Sequence, residues 1–200
     1  MCISITMSPA CRGKLTVITG PMFSGKTTRL IKEVQKASKG RRVILFKSEI
    51  DDRYSSSEVV SHDGISLPAA ILPRGQGCIK ALSQAAKSYD VIAIDEAQFW
   101  AGTQGFSEAL DGLASNSKQV YAATLNRDSD GDPFNVAKEL MAYADRICLL
   151  SARCSKCGSR AGFSQRMKNG VETYGKGFLV AGSAAYEARC RRHFVWPSRA

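Results

Sequence analysis

A glycine-rich stretch near the start of the chain reads Gly20-Pro21-Met22-Phe23-Ser24-Gly25-Lys26-Thr27. It matches the pattern G-x-x-x-x-G-K-[ST]. Apolar residues 15–19 precede it, and residues 27–38 follow with apolar side chains at helical spacing. A strand, a glycine-rich loop and a helix in this order are the setting in which such a loop binds phosphate, because its backbone N–H groups and the helix N-terminus face the anion. The stretch therefore predicts a phosphate-binding loop.

Two residues give this loop its expected chemistry. Lys26 is placed to reach the β- and γ-phosphates of a nucleoside triphosphate, and the Thr27 hydroxyl is placed to ligate Mg²⁺. A glycine-rich turn without function is the alternative, but a chance turn would not need the strand before it and the helix after it. We therefore expect an enzyme that uses ATP with Mg²⁺.

Two adjacent carboxylates follow a second apolar run. Residues 91–94 read Val-Ile-Ala-Ile and are followed by Asp95 and Glu96. Because side chains alternate along a strand, we predict that the two carboxylates point in different directions. Asp95 is expected to hold Mg²⁺, and Glu96 is then available to accept a proton from an attacking hydroxyl or water. A solvated strand end is the alternative for this pair alone, and the phosphate loop favours the functional interpretation.

Predicted strands and helices alternate along residues 13–150. Residues 48–75 are rich in Ser, Asp, Gly and Pro and should be mostly loop. Further strands are predicted at 43–46, 120–125 and 147–150, and further helices at 78–87, 107–114 and 132–144. This alternation predicts an α/β fold, in which helices cover both faces of a parallel sheet.

The composition changes after residue 150, where Cys, Gly, Arg and Lys become frequent. Cys154-x-x-Cys157 is followed by Cys190-x-x-His193, and two such pairs suit a tetrahedral structural Zn²⁺. Cysteines that are close only by chance are the alternative. We expect four regions, which are a flexible tail at 1–12, a phosphate-loop domain at 13–150, a zinc-binding subdomain at 151–194 and a tail at 195–200.

The net charge is +10, from 28 basic and 18 acidic residues among 200. A basic protein favours anionic partners, which here means nucleotides or nucleic acid. No apolar run is long enough to span a bilayer, and residues 1–12 lack the apolar block of a secretory signal. We expect a cytoplasmic protein with no membrane partner.

Several motifs in one order resemble the zinc-containing, cytosolic class of thymidine kinases, known as type II. These motifs are residues 20–28, Asp51-Asp52-Arg53-Tyr54-Ser55-Ser56, His62-Asp63, Asp95-Glu96-Ala97-Gln98-Phe99, Pro133-Phe134 and the Cys/Cys/Cys/His set. The resemblance covers residues 13–194 and implies a recombinase-like P-loop NTPase core with a zinc-held lasso over the base. It implies phosphoryl transfer from ATP to the 5′-hydroxyl of thymidine, and of deoxyuridine. A homotetramer and feedback binding of thymidine triphosphate are also implied.

The resemblance also implies roles for individual residues. Glu96 would be the base that takes the proton from the 5′-hydroxyl, with Asp51 as the alternative. ATP would bind Gly20, Pro21, Met22, Phe23, Ser24, Gly25, Lys26, Thr27, Thr28, Asp95 and Gln98. The nucleoside would bind Met22, Asp51, Arg53, Phe99, Phe134, Phe163, Ser164, Leu179, Gly182 and Tyr186.

Three positions depart from the pattern of that class. The family usually has an aromatic residue where Ser129 stands, a glycine where Ala181 stands and a tyrosine where Phe163 stands. These changes concern base selectivity and turnover, and they leave the phosphate chemistry unaltered.

A nucleic-acid-dependent ATPase with a zinc ribbon is the main alternative function, because it would also explain the charge and the cysteines. However, the chain is short and its basic residues are dispersed. It also lacks the interleaved aromatic and basic residues that stack single-stranded bases. We therefore expect no stable nucleic-acid partner. A non-catalytic zinc-binding module would leave Lys26, Asp95 and Glu96 unexplained.

Overall fold

Strands and helices alternate through the first 150 residues in this computed structural model, which describes residues 13–49, 58–60, 64–175 and 185–198. The first part of the chain forms, in order, β1 (Lys14–Gly20), α1 (Lys26–Ala37), β2 (Val43–Ser48), β3 (Glu58–Val60), β4 (Ser66–Pro68), β5 (Ala70–Leu72), α2 (Gly77–Ser88), β6 (Val91–Ile94), a 3₁₀ helix (Ala97–Trp100), α3 (Phe106–Ser115), β7 (Gln119–Leu125), α4 (Asn135–Tyr143) and β8 (Arg146–Leu149). The tail expected at 1–12 lies outside the described residues. No helix in the described part of the chain is long and apolar enough to cross a bilayer.

Six of these strands form one parallel sheet in the order β5-β2-β6-β7-β1-β8. Gly20 lies opposite Leu125, and Ile94 lies opposite Ala122. The carboxyl ends of β1, β6 and β7 therefore meet at one edge. The loops that follow them are the phosphate loop, the carboxylate pair and the segment before Phe134, so the sheet brings these three segments together.

Helices cover both faces of the sheet, which confirms the predicted fold class. On one face, α1 packs Leu30, Ile31 and Val34 against Ile18 and its neighbours. On the other face, α2, α3 and α4 contribute Leu82, Leu110, Val136 and Leu140 to a second cluster that includes Leu15 and Val17 of β1. Side chains of β1 alternate between the two faces and so enter both clusters. Each fully buried aliphatic side chain stabilises the folded state by roughly 1.5–3 kcal/mol relative to an exposed one.

Two parts of the sequence-based description were wrong in detail. Residues 48–75 contain three short strands that the prediction of a mostly loop segment did not include, since β3 and β4 pair antiparallel and β5 joins the sheet beside β2. Each of these strands has three residues, too few to show a period against polar neighbours. Helix α4 begins at Asn135 rather than at 132, because Asp128 Oδ1 accepts the N–H groups of Asp130 and Asp132 and holds a turn there.

The second part of the chain is built from short antiparallel strands. It contains β9 (Ala152–Arg153), β10 (Arg160–Ala161), β11 (Phe163–Lys168), β12 (Val171–Thr173) and β13 (Tyr186–Arg189). Strands β9 and β10 pair with each other, and β12-β11-β13 form a small sheet. The buried guanidinium of Arg189 is neutralised by Glu187 at 2.6 Å and Glu172 at 3.5 Å, so an ion-pair group supports this small core.

The end of the chain differs from the expected tail. The backbone N–H of Val195 donates to Oε1 of the buried Gln165 at 2.9 Å. The ring of Trp196 meets the ring of Phe163 edge-on, with 5.3 Å between centroids. The second subdomain therefore continues at least to Trp196.

Candidate active site

The phosphate loop is shaped by two glycines. A Cβ on Gly20 would lie 2.7 Å from the Leu150 carbonyl oxygen and 2.9 Å from Ser24 Oγ, so a side chain does not fit where β1 ends. Gly25 has φ +77°, a backbone conformation that glycine adopts without steric cost, and α1 starts at the next residue. The loop can therefore turn directly from strand to helix.

Lys26 folds back over this loop. Its Nζ donates to the Pro21 carbonyl at 2.9 Å, and Ser24 Oγ donates to the same carbonyl at 2.7 Å. The Lys26 side chain is 7% exposed, so its charge is held at the loop rather than in solvent. Phe23, with φ +61°, adopts a left-handed conformation that is rare for a non-glycine residue. This arrangement places a positive charge over the loop, as phosphate binding requires.

Thr27 and Asp95 meet beside the loop. The Thr27 hydroxyl, in the first turn of α1, donates to Asp95 Oδ2 at 3.0 Å. Asp95 follows β6 and is 3% exposed, and its Oδ1 accepts the N–H of Glu96 at 3.0 Å. A hydroxyl and a carboxylate at this place are the oxygen ligands through which phosphate-loop enzymes hold Mg²⁺. The donor set therefore fits Mg²⁺.

The backbone at Asp95 and Glu96 is not the strand that the prediction of alternating carboxylates assumed. Strand β6 ends at Ile94, so alternation does not extend to Asp95 and Glu96. Instead, Glu96 follows Asp95 with φ +51° and ψ +47°, a left-handed backbone conformation that is not part of a strand. This conformation costs a non-glycine residue about 1–2 kcal/mol, and strain of this kind concentrates at functional sites.

Gln98 holds Glu96 in place. Its amide nitrogen donates to Glu96 Oε2. Its amide oxygen accepts from the Leu125 N–H at 3.0 Å and from the Thr124 hydroxyl at 3.3 Å, at the end of β7. Gln98 is 2% exposed. The resemblance implies that Gln98 binds ATP. In the structure its side chain is hydrogen-bonded to Glu96, a contact that the sequence did not predict.

The phosphate loop also contacts the second subdomain. The backbone N–H of Met22 donates to Oγ of Ser164 in β11 at 2.9 Å. Ser164 is 3% exposed, so this hydrogen bond is shielded from water. Two residues expected at the nucleoside therefore touch each other, although they are 142 positions apart.

The remaining residues expected at the nucleoside have separate surroundings. Phe99 is buried in the core cluster beside α2, α3 and α4, and the half-buried Phe134 packs against the same cluster. Phe163 is 4% exposed and stacks on Phe194, and Tyr186 is half-buried in β13. The other positions predicted at the nucleoside, namely Asp51, Arg53, Leu179 and Gly182, lie outside the described residues, as do the motif residue His62 and the departure from the family pattern at Ala181.

The four predicted zinc ligands come together. The ligand atoms of Cys154, Cys157, Cys190 and His193 all lie within 4.8 Å of one another. His193 Nδ1 is 3.7 Å from Cys154 Sγ and 3.4 Å from Cys190 Sγ, and the thiols of Cys157 and Cys190 are 3.8 Å apart. Three sulfurs and one imidazole are a ligand set that suits tetrahedral zinc.

The thiols of this cluster differ in pKa, because burial and hydrogen bonds to Cys154 and Cys157 raise the pKa of Cys190, whereas that of Cys154 is lowered. Burial by itself would raise the pKa of the Cys154 thiol, but backbone hydrogen bonds from Cys190, Lys156 and Cys157, together with His193, lower that pKa to about 6. The thiolate is the form that binds metal. The residues present therefore fit Zn²⁺.

Comparisons with known proteins agree with this geometry. A family model described as "Thymidine kinase" matches residues 13–194. The thymidine kinase of Pyrobaculum aerophilum is 43% identical over 186 residues, covering 92% of this chain and 99% of the relative. The thymidine kinase of Thermococcus kodakarensis is 44% identical over 190 residues, covering 92% and 95%. Among solved structures, the replication initiator DnaA bound to AMPPCP and single-stranded DNA aligns with 69% of this chain and 40% of its own, at 17% identity. Its TM-score of 0.40 is too low to support an inference.

Proposed function

Since this chain belongs to the thymidine kinase family, we propose that it transfers the γ-phosphoryl group of ATP to the 5′-hydroxyl of thymidine, giving thymidine monophosphate for DNA precursor salvage. The observation that supports this most directly is the joint placement of Lys26, the Thr27–Asp95 pair and Glu96 at one edge of the sheet. A nucleic-acid-dependent ATPase is not favoured by the family membership.

The phosphate loop and its lysine bind the triphosphate. The N–H groups of the loop and the N-terminus of α1 attract the phosphate oxygens, and Lys26 neutralises charge on the β- and γ-phosphates. Thr27 and Asp95 would hold Mg²⁺, which supplies positive charge to the phosphates when it is bound. Because the side chains of Lys26 and Asp95 are already buried and hydrogen-bonded, little reorganisation is needed on binding.

Glu96 is the proposed proton acceptor. A sugar hydroxyl is a weak nucleophile, and removal of its proton as the new bond forms contributes about 10²–10⁴-fold to the rate. Glu96 follows Asp95 in a left-handed backbone conformation, and its carboxylate is proposed to lie outside the Mg²⁺ ligand set. Gln98 holds its carboxylate through Oε2. Asp51, which is outside the described residues, stays the alternative base.

The nucleoside is proposed to bind between the two subdomains. Met22 and Ser164 support this position, because their hydrogen bond joins the phosphate loop to β11. Phe99 and Phe134 are proposed to wall the base. A pocket of this kind is expected to accept deoxyuridine, which lacks only the methyl group of thymine.

Further properties are proposed from the resemblance to the type II class. Zn²⁺ at the Cys154–His193 cluster is proposed to be structural, since four protein ligands leave no open position for a substrate. We also propose a homotetramer, feedback binding of thymidine triphosphate and a cytoplasmic location. The hydrogen bond between Met22 and Ser164 is the contact through which the zinc-binding subdomain would affect the phosphate loop.

A comparison of acceptors tests this function. The purified protein is incubated with ATP and Mg²⁺, together with thymidine, deoxyuridine, single-stranded DNA or buffer, and both ADP and nucleoside monophosphate are measured. We expect ADP and thymidine monophosphate to form in equal amounts when thymidine is present. ADP formation that depends on DNA and not on thymidine would overturn the proposal in favour of the ATPase.

A further inference from the structure

The chain end packs on the loop that leads to Phe134. Gly131 lies in this loop with φ +85°, and a Cβ added to it would lie 2.8 Å from Trp196 Cζ3 and 3.2 Å from Phe194 Cε1. The two rings therefore touch the loop backbone where only glycine leaves room. The contact is direct, because the atoms nearest to this position belong to the rings themselves.

Trp196 belongs to an aromatic cluster formed by Phe163, Phe194 and Trp196. Phe163 and Phe194 stack with 4.6 Å between centroids, and Trp196 meets them edge-on at 5.3 Å and 4.9 Å. The guanidinium groups of Arg127 and Arg191 lie 5.2 Å and 5.1 Å from the Phe163 ring centre. Such ring pairs and cation–π contacts contribute stabilising free energy in addition to that of the apolar area they bury.

The loop at residues 126–133 is held from other sides as well. Arg127 donates to the Gly131 carbonyl at 2.9 Å, and the Gly175 N–H donates to Asp130 Oδ1 at 3.1 Å. Ser129 is 8% exposed. The loop thus lies between the second subdomain and the core, and its conformation depends on groups from both.

We propose that Trp196 is a positioning residue for nucleoside binding, acting through the 126–133 loop on Phe134. The proposal rests on the function proposed above, in which Phe134 walls the base. Ser129 has a small side chain and offers this loop little packing area. The ring of Trp196 packs on the loop two residues further on, at Gly131. Removal of the ring leaves the loop less ordered before the nucleoside binds, and the cost of ordering it then appears in nucleoside affinity.

Steady-state kinetics of Trp196→Ala tests this role. We expect the KM for thymidine to rise about tenfold, which corresponds to about 1.4 kcal/mol of binding free energy. The KM for ATP should stay within about twofold of wild type, because Trp196 packs on Gly131, Phe163 and Phe194, which are not phosphate-loop residues. Val195→Ala is the matched control, since this neighbour is 44% exposed and its hydrogen bond to Gln165 uses the backbone. Trp196→Phe, which keeps a ring, should restore part of the affinity.

A double-mutant cycle with Gly131→Ala tests the contact itself. The added methyl group meets the Trp196 ring in the wild-type background, whereas in Trp196→Ala the strain of the positive φ and the 3.2 Å approach to Phe194 Cε1 are left. The penalty of Gly131→Ala in thymidine KM and in Tm should therefore be smaller in the Trp196→Ala background. Additive penalties, or a Trp196→Ala variant with unchanged thymidine KM, would overturn the proposal while leaving the kinase function in place. A wild-type protein that does not phosphorylate thymidine would overturn both.

Discussion

The side-chain amide of Gln98 connects Glu96 to the end of β7, since its nitrogen donates to Glu96 Oε2 and its oxygen accepts the Leu125 N–H at 3.0 Å. Glu96 needs such support, because its left-handed backbone is not stabilised by the regular hydrogen bonds of β6. A base held in one orientation accepts a proton without first losing side-chain freedom. We therefore predict that Gln98 positions Glu96.

Gln98→Glu tests this relationship. The substitution keeps the shape and the acceptor for Leu125, but it removes the donor to Glu96 and adds a second carboxylate. Two adjacent carboxylates resist being ionised together, so the pair should hold a shared proton that is lost only at higher pH. We expect kcat to fall, and the acid limb of its pH profile to move to higher pH. An unshifted profile would indicate that Gln98 does not act through Glu96.

Glu96→Gln should lower kcat by about 10²–10⁴-fold, because the amide fills the same space without basicity. Thymidine and ATP binding, measured by calorimetry, should change little. Asp51→Asn is the matched comparison. If kcat holds within a few-fold in Glu96→Gln and collapses in Asp51→Asn, Asp51 is the base.

Lys26→Ala should abolish phosphoryl transfer while the fold survives, because it removes the charge beside the β- and γ-phosphates and little packing. Circular dichroism and Tm check the fold. Lys32→Ala is the control, since Lys32 lies on the exposed side of the same helix and should keep full activity. Equal activities of the two variants would contradict the assigned phosphate loop.

Purified protein should contain one Zn²⁺ per chain by elemental analysis. Cys157→Ser should reduce this content and weaken thymidine binding before ATP binding, since the phosphate loop is formed by β1 and α1, outside the zinc-binding subdomain. Cys148→Ser, on β8 and outside the cluster, should keep the metal. Zinc-free protein prepared without chelator would count against the site.

The Glu33 carboxylate should make the free energy of unfolding vary with pH in the acid range. Burial by itself raises the pKa of Glu33, but hydrogen bonds from Arg29 at 2.7 Å and Arg146 at 3.3 Å hold that pKa below its ordinary value. A carboxyl with a lowered pKa stabilises the fold above its unfolded pKa, and this contribution is lost as pH falls through the folded pKa. Glu33→Gln should cost about 1–3 kcal/mol near neutral pH in urea unfolding. The difference from wild type should shrink in acid, and a difference that is constant with pH would contradict the ion-pair explanation.

Patterns within a few neighbouring residues were predictable from the sequence. The strand-loop-helix around Gly20 to Thr27, the strand before Asp95 and the paired zinc ligands each have a short spacing that one local geometry requires. The alternation of apolar runs also predicted a parallel sheet with helices on both faces, because such runs must bury both sides of each strand. The short strands in residues 48–75 were missed because three residues are too few to show a period.

The sequence alone determined the fold class, the phosphate loop and the residues that can bind metal, since these follow from local spacing and from the chemistry of single side chains. Only the tertiary structure decided which distant residues meet. Ser164 meets Met22, Gln98 meets Leu125 and Trp196 meets Gly131 through contacts whose partners are far apart in the chain. A hydrogen bond or ring contact of this kind depends on how whole elements pack, and no periodicity records that packing.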